Sequence, residues 1–406
     1  MTEQATVPAI RFAGFTDPWE QRKLGEIASF SKGSGYSKAD IRESGIPLFL
    51  YGRMYTQYET RVDSVDTFAA PRPGTLYSKG TEIVVPASGE SAEDIARASA
   101  ITREGIALGG DLNVVYPQRM VTPLFLAYGL SHGSSQKLLA QKAQGKTVVH
   151  IHASDLKGLG IAFPDVTEQQ AIGIFFSSLD DLITLHQRKY DKLDIFKKSM
   201  LEKMFPKDGE SVPEIRFAGF TDPWEQRKFG ELYRPVSEKN DLSFGRDKAI
   251  SVANMYFNPA VYVTEDSYLA TYNVMRLGDI AFEGNRSKRF AHGRFVENTI
   301  GDGIVSHVFK VFRHVGDNYD LSYWKHAINN EKLMKDVLTR STKASTMMHE
   351  LVTADFLEEL TLVPSLNEQR AIGAAIDSID NLITLHQRKL ELLQNIKKSL
   401  LDKMFV

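Results

Sequence analysis

The string IRFAGFTDPWEQRK occupies residues 10–23 and returns without a single change at residues 215–228; we call it the tag. A second string, LITLHQRK, occupies residues 182–189 and returns at residues 382–389. Repeats are the first feature to establish in a chain, because they show how often one structural unit is used. The order of tag, body and helix, followed by the same three parts again, predicts a duplicated architecture.

The two bodies, residues 27–163 and 232–363, lie between these repeats and show no convincing residue-by-residue match. A recent duplication followed by neutral drift is the alternative explanation, but drift would alter tags and bodies alike. Unchanged tags beside unlike bodies therefore indicate two identical scaffold parts that carry two different recognition surfaces.

Each body is followed by a segment with the pattern of one long helix, residues 168–205 and 368–405, with Thr167 and Asn367 as the expected N-caps. Apolar residues recur at steps of three and four, as in an amphipathic or coiled-coil helix. A helix of this length spans roughly 55 Å, comparable to about one and a half turns of B-DNA. Antiparallel packing of the two would place the bodies at opposite ends. The residues expected to pack one helix on the other are Leu179, Ile183, Leu193, Ile379, Ile383 and Leu393.

Both bodies show the same coarse order of short strands followed by a helix, which favours one common fold. The predicted strands are residues 46–50, 82–86 and 112–116 in the first body and 248–252, 279–282 and 307–312 in the second; the predicted helices are residues 122–139 and 319–337. The expected fold class is α+β: two globular mixed α/β domains joined by two long antiparallel coiled-coil helices, with a pseudo-twofold internal repeat. The expected domains are residues 1–163, 164–206, 207–363 and 364–406, in which body-containing domains alternate with helices.

Composition narrows the class of protein. The 406 residues include no cysteine, which rules out disulfides and thiolate metal sites, and no apolar run approaches a membrane span. We therefore expect a cytoplasmic protein without a signal peptide. The net charge of −2 is not the basic balance typical of nucleic-acid binding, so any DNA interface has to be local.

Catalytic motifs are not found in the sequence. A DNA methyltransferase would need a nucleotide-binding loop and an Asn/Asp-Pro-Pro-aromatic motif, and Asn258-Pro259-Ala260, the nearest string, fails that pattern. No Walker A motif indicates a motor. We expect a binding protein rather than an enzyme, with no catalytic residue, no metal site and no cofactor of its own.

The strings GFTDPWEQRKLGEI at residues 14–27, Pro164 followed by Glu168-Gln169, and QRK…KKSxLxKMF closely resemble the specificity subunits of type I restriction–modification systems. The resemblance covers the whole chain, in the same order and with both halves. It implies that each body is a target recognition domain that reads one half of a bipartite site in double-stranded DNA. It also implies that the paired helices set the gap between the half-sites.

The same resemblance implies partners. The repeated regions would bind two methyltransferase (modification) subunits and, through them, restriction/motor subunits, while S-adenosylmethionine, ATP and Mg²⁺ would be bound by those partners. Two alternatives stay open: an assembly scaffold that reads no DNA, and an orphan, inactive specificity subunit.

Basic clusters within the bodies supply the candidate DNA contacts, since lysine and arginine contact phosphates and arginine reads guanine edges. Solvated surface loops are the alternative interpretation of any one cluster. The candidates are Arg53, Lys142, Lys146 and Thr147 in the first body and Arg286, Lys288, Arg294, Arg340 and Lys343 in the second.

Overall fold

A computed structural model of the chain describes residues 7–207, 209–288, 290–345 and 348–405. The chain divides into two compact units. Unit 1 comprises Met1–Arg188 and Gln387–Val406, and unit 2 comprises Lys189–His386. Each unit therefore contains one body and portions of both long helices. Within the described ranges, no helix combines the length and the apolar character needed to cross a membrane.

The described part of unit 1 contains thirteen strands and the first seven α-helices. The strands are β1 (Glu20–Lys23), β2 (Ala28–Lys32), β3 (Ile46–Phe49), β4 (Arg61–Val62), β5 (Phe68–Ala69), β6 (Tyr77–Lys79), β7 (Glu82–Pro86), β8 (Ser88–Gly89), β9 (Ser99–Ile101), β10 (Glu104–Leu108), β11 (Leu112–Pro117), β12 (Val149–His150) and β13 (Gly160–Phe163). The helices are α1 (Leu24–Ile27), α2 (Arg53–Thr56), α3 (Ala92–Ile95), α4 (Pro123–Ser131), α5 (Gly133–Lys142), α6 (Ala153–Lys157) and α7 (Val166–Lys203), the last of which continues into unit 2.

Twelve strands and five further α-helices lie in the residues of unit 2 that the structure describes. The strands are β14 (Glu225–Lys228), β15 (Tyr233–Val236), β16 (Ile250–Ser251), β17 (Tyr256–Phe257), β18 (Asn273–Met275), β19 (Ile280–Glu283), β20 (Arg294–Glu297), β21 (Gly303–Val305), β22 (Lys310–His314), β23 (Thr342–Ala344), β24 (His349–Leu351) and β25 (Leu360–Val363). The helices are α8 (Phe229–Leu232), α9 (Leu321–Ala327), α10 (Glu331–Ser341), α11 (Thr353–Glu358) and α12 (Leu366–Met404), the last of which continues into unit 1.

One antiparallel sheet is common to both bodies. In unit 1 its strands run in the order β2-β11-β7-β9, with β4 added at the edge, and in unit 2 they run β15-β22-β19-β20. Corresponding strands pair antiparallel in both units. The two bodies therefore form the same sheet from different sequences. The buried positions of this sheet, such as Val84 and Ala281, require apolar character rather than a particular residue.

The two long helices lie antiparallel where they meet within each unit. In unit 1 the ring of Phe176 contacts Phe405, and Asp180, one turn further along α7, pairs with Lys397, two turns earlier in α12. In unit 2 the mirror arrangement pairs Lys197 with Asp380, at 2.6 Å. Of the expected packing residues, Leu179 and Ile379 are buried, and Ile183, Leu193, Ile383 and Leu393 are half-buried.

The helix starts differ from those expected. α7 begins at Val166 and α12 at Leu366, before Thr167 and Asn367. Asp165 is the capping side chain in unit 1, since its Oδ1 accepts from the backbone N–H groups of Thr167 (2.7 Å) and Glu168 (3.1 Å). The capping residue Asp165 directly follows Pro164, which has no backbone N–H group to donate.

A buried ion pair joins each tag to the start of a long helix. Glu168, on the first turn of α7, is buried and receives both Nε (2.8 Å) and Nη2 (2.5 Å) of Arg11. Arg216 of the second tag binds Glu368 in the same bidentate manner, at 2.6 and 2.8 Å. A buried carboxylate requires such a partner, so the tag and the start of the long helix have to be retained together.

Each tag also ties the helix to its body. β1 pairs with β13 in unit 1, and β14 pairs with β25 in unit 2, in the same antiparallel register. The buried Gln169 accepts from the backbone N–H of Thr122 (2.8 Å), and Gln369 accepts from that of Asp320 (3.1 Å), at the start of the body's own helices. The body is thereby fixed on the long helix at two points.

The helices predicted at residues 122–139 and 319–337 are each broken into two. α4 ends where Gly133 adopts a φ of +67°, and a Cβ there would lie 2.6 Å from the carbonyl oxygen of Phe405. α9 ends before Asn330, whose side chain caps α10 and donates to the carbonyl of Leu201 at 3.3 Å. In both units the break accommodates the C-terminal end of a long helix, a contact distant in sequence.

Candidate nucleic-acid interface

Three segments of the unit 1 body meet on one exposed side: the turn of residues 52–56, the loop of residues 87–97 and the hairpin of residues 144–150. β8, at the start of the loop, pairs with β12 of the hairpin. The hydroxyl of Tyr55 in the turn donates to the carbonyl of Ser88 at 2.7 Å. We call these segments together the three-segment surface of unit 1.

Unit 2 builds a three-segment surface from corresponding places in its fold: the turn of residues 252–257, the loop of residues 284–293 and the hairpin of residues 342–351. Arg294, at the end of the loop, donates to the carbonyl of Ala253 in the turn at 2.6 Å. Arg286 in the loop donates to the carbonyl of Ser345 in the hairpin at 3.2 Å. Segments far apart in sequence are thus brought together in both bodies.

The candidates of the first body lie on this surface but differ in availability. Lys146 and Thr147 are exposed at the hairpin tip, and Lys142 ends α5 beside it. Arg53 lies in the turn, where its side chain is only 14% exposed and pairs with Glu59 (3.0 Å) and Asp66. Lys146 and Thr147 are therefore better placed to contact a ligand than Arg53.

The candidates of the second body divide in the same way. Arg286 and Lys288 on the loop and Lys343 on the hairpin are exposed. Arg294 is 24% exposed, bound to Glu283 at 2.8 Å and held over the ring of Phe290. Arg340 lies on α10, outside the three segments, and pairs with Glu359 at 2.6 Å. Arg289, the other basic residue of the loop sequence, is outside the described residues.

The two loops carry opposite charge. The unit 1 loop contains Glu90, Glu93 and Asp94 against Arg97, whereas the sequence of the unit 2 loop contains Arg286, Lys288 and Arg289 without an acid. The pKa of His349, behind the unit 2 loop, is lowered by burial and by its neighbours His292 and Arg286. A positive potential at the unit 2 loop suits contact with phosphates, and the unlike loops suit different base sequences.

Sequence reasoning missed two groups on these surfaces, Glu90 in unit 1 and Asn254 in unit 2; both are exposed. Neither residue belongs to a basic cluster, and the candidates predicted from the sequence come from such clusters. Carboxylates accept from cytosine N4, and amides bind adenine N6 and N7, so neutral and acidic residues also read bases. A search for exposed polar residues in turns that follow predicted strands would have found Asn254.

One cluster in unit 2 has the residue types of a metal site. Ligand atoms of His326, Asp377 and Asp380 lie within 4.8 Å of one another. Lysine ammonium groups already pair with these carboxylates, Lys325 with Asp377 (2.5 Å) and Lys197 with Asp380 (2.6 Å). These protein cations neutralise the cluster, which accordingly serves the helix contact.

A second exposed surface lies on the long helices. Leu182 and Leu382 are 45% and 44% exposed, and Leu185 and Leu385 are exposed to the same degree. Both pairs belong to the repeated string LITLHQRK. The same two leucines of the string are therefore left exposed in both units, and exposed apolar groups of this kind are typical of interaction surfaces.

The chain is similar to known proteins, both over its first tag, body and helix and over nearly its whole length. Residues 16–194 match the family described as the type I restriction modification DNA specificity domain. The chain is 21% identical over 408 residues to the type I restriction enzyme MjaVIII specificity subunit of Methanocaldococcus jannaschii, covering 95% of this chain and 92% of that protein. It is 25% identical over 321 residues to the putative MjaX specificity subunit of the same organism, covering 72% and 70%.

Among solved structures, the type I restriction–modification S subunit from M. genitalium shares the fold. Its crystal structure matches with a TM-score of 0.62 and 17% sequence identity, over 99% of both chains. The likeness at this identity is one of architecture, and it extends over both bodies and both long helices.

Proposed function

The chain belongs to the family of type I restriction–modification specificity subunits, and on that premise we propose that its two bodies read the two halves of a bipartite site in double-stranded DNA. The three-segment surfaces carry this proposal. They occupy corresponding places on a common sheet framework, yet they present different side chains. One framework used twice with unlike exposed residues is what reading two different half-sites requires.

Within each surface, the exposed lysines and arginines would contact phosphates, and the remaining polar side chains would contact base edges. Lys146 in unit 1 and Arg286, Lys288 and Lys343 in unit 2 supply the charge. Phosphate contacts fix position and orientation, whereas contacts in the major groove carry the sequence information. Among the described residues of each three-segment surface, few basic side chains are free of ion pairs, so the chain alone would bind DNA weakly and in a salt-dependent manner.

The exposed leucines of the repeated string would bind two modification subunits, one in each unit. Those subunits would hold S-adenosylmethionine and methylate adenine, and restriction/motor subunits that use ATP and Mg²⁺ would join them. Because Leu182 and Leu382 share identical flanking sequence, one partner surface fits both. This chain contributes the choice of sequence and performs no chemistry.

The decisive experiment is to co-express the chain with its modification subunit in a host without DNA methylation and to map N6-methyladenine by long-read sequencing. We expect a split motif, two short half-sites with a fixed unspecified gap. Absence of methylation, with a modification subunit that is active with another specificity subunit, would overturn the proposal. The unpartnered chain should bind a motif-containing duplex only weakly, with affinity that falls steeply as salt rises; tight specific binding would contradict the division of labour.

A further inference from the structure

A comparable turn in each body follows a strand and ends in the letters Met-Tyr. In unit 1, Gly52-Arg53-Met54-Tyr55 follows β3, and in unit 2, Ala253-Asn254-Met255-Tyr256 follows β16. The methionine of each turn packs inward: Met54 is buried, and Met255 packs against a buried apolar cluster. The residue before it is Arg53 in one turn and Asn254 in the other, and we call it the variable position; the small residues that precede it, Gly52 and Ala253, also differ.

An arginine anchors each turn from the neighbouring loop. Arg97, just before β9, donates to the carbonyl of Met54 at 2.9 Å, and Arg294, at the start of β20, donates to that of Ala253 at 2.6 Å. β9 and β20 hold the same place in the common sheet. Arg294 is in turn fixed by Glu283, so its guanidinium joins the turn to the base of the basic loop.

The backbone of the unit 2 turn is held in an uncommon conformation. Met255 has a φ of +47°, a left-handed value that a residue with a Cβ adopts only at a cost of about 1–2 kcal/mol. The N–H of Met255 donates to the carbonyl of Ser251 at 2.8 Å, which closes the turn. Such strain persists where surrounding contacts impose it, and it marks positions where geometry matters for function.

The side chains at the variable position are used differently in the two units. Arg53 is engaged by Glu59 and Asp66. Asn254 is exposed, and among the described residues its amide makes no side-chain hydrogen bond. It is next to a loop whose arginines and lysine are suited to phosphates, so a DNA strand on this surface would bring base edges toward it.

We propose that Asn254 is a specificity-determining residue that reads an adenine through N6 and N7, and that Arg294 is a positioning residue for it; this rests on the proposed function. An asparagine amide offers one donor and one acceptor in the spacing that the major-groove edge of adenine presents. The strained turn fixes the amide, and Arg294 fixes the turn.

The test uses the full chain, co-expressed with its modification subunit, and compares methylation motifs by long-read sequencing. Asn254→Ala should retain the gap and the half-site read by unit 1 but relax one position of the other half-site. Methylation of the original site relative to sites altered at that position should fall by about 5- to 150-fold. Arg294→Ala should relax the same position, and Arg294→Lys, which cannot donate to Glu283 and Ala253 with a planar fork, should restore it only in part.

Asn318→Ala is the matched control, because Asn318 is exposed in unit 2 outside the three-segment surface, and it should leave the motif unchanged. Thermal unfolding of each variant separates relaxed reading from loss of fold. An unchanged motif for Asn254→Ala, or a uniform loss of methylation at all sequences, would overturn the assignment. Failure of the unsubstituted chain to direct any methylation would instead count against the proposed function.

Discussion

At the scale of single residues, the pairs Arg11–Glu168 and Arg216–Glu368 are contacts that both tags make in the same way. Each carboxylate is buried, accepts two hydrogen bonds from one guanidinium, and lies on the first turn of a long helix. Planar bidentate geometry is specific to arginine, so lysine would not substitute for it. A change in either member requires a change in the other, which neutral drift rarely supplies.

We expect Arg216→Ala to destabilise unit 2 by about 3–5 kcal/mol, because Glu368 would remain buried without a partner. Arg227→Ala is the control; its pairs with Glu225 and Glu231 are exposed and should contribute about 0–1 kcal/mol. Urea unfolding followed by circular dichroism measures both. Equal effects of the two substitutions would show that the buried pair is not what retains the tag.

Glu297 predicts a pH dependence for the stability of unit 2. It is buried in β20, one carboxylate oxygen accepts from the hydroxyl of Tyr319, and the other has no hydrogen-bond partner among the described residues. Burial raises the pKa of Glu297 well above its ordinary value of 4.5. The folded state therefore binds a proton that the unfolded state releases, and stability is lost as pH rises from 4.5 toward the raised value.

Glu297→Gln should raise the melting temperature at neutral pH and flatten the decline in stability above pH 4.5, since the amide is neutral throughout. Differential scanning calorimetry across this range measures the effect. Glu104→Gln makes the same chemical change at an exposed strand position and should leave the pH profile as it is. A variant whose melting temperature falls with pH as steeply as that of the unsubstituted chain would contradict the prediction.

The candidate base-reading residues show what the sequence leaves open at this scale. Arg53, Arg294 and Arg340 carry the right charge, but each is paired with a carboxylate brought to it by folding. Nothing in the sequence distinguishes Lys146, Arg286 and Lys343 from those three arginines, yet these side chains remain exposed. The local sequence gives the charge of a residue. Whether that residue is free to contact DNA depends on the ion-pair partners that the tertiary fold brings to it.

At the scale of elements, the long helices carry exposed leucines that the helix contact does not use. We expect the double variant Leu182→Asp with Leu382→Asp to weaken binding of the modification subunit at each site by about tenfold or more, because burying a leucine contributes about 1.5–3 kcal/mol. Size-exclusion chromatography with light scattering and calorimetry measure stoichiometry and affinity.

Thr184→Asp with Thr384→Asp adds the same charges at exposed positions on another side of each helix, and should preserve binding. Retained affinity of the leucine double variant would remove the helices from the partner interface. Loss of binding in the threonine control as well would attribute the effect to charge rather than to the apolar surface.

The elements were predictable to different degrees. Periodicity located α7 and α12 within two residues of their ends, because a long amphipathic pattern outweighs local signals. It failed at α4 and α5, and at α9 and α10, where a continuous helix was expected. Phe405 and Leu201, which fill those breaks, come from distant parts of the chain, so no local pattern encodes them.

At the scale of the whole molecule, each body has its own buried core and is fixed by its own tag and helix start. Replacing residues 27–163 with the corresponding body of another family member should therefore change one half of the methylated motif and leave the other half intact. Methylation mapping of the hybrid chain reads this directly. A change in both halves would mean that the bodies do not read independently.

The likeness of the two units was evident from the repeats, and the shared strand order β2-β11-β7-β9 and β15-β22-β19-β20 extends it to bodies with unrelated letters. The coarse order of predicted strands and helix indicated a common fold, but the order of strands within the sheet could not be read from the sequence, since buried strands constrain only apolar character and approximate volume. The order of the strands is set by pairing between residues far apart in the chain.

The backbone N–H of Ile10 donates to the carbonyl of Lys403 at 3.3 Å, and that of Ile215 donates to the carbonyl of Lys203 at 2.9 Å. The beginning of one tag thus meets the end of a long helix in both units, and in unit 2 residues 206–214 link the two. The same junction in unit 1 forms between residues far apart in the sequence, so its architecture does not depend on that link. A gene reopened within codons 206–214 and joined across the original ends would encode the bodies in reverse order while retaining every contact described above. Because a duplex read from its two strands is the same object, the rearranged gene would protect the same sites as the original.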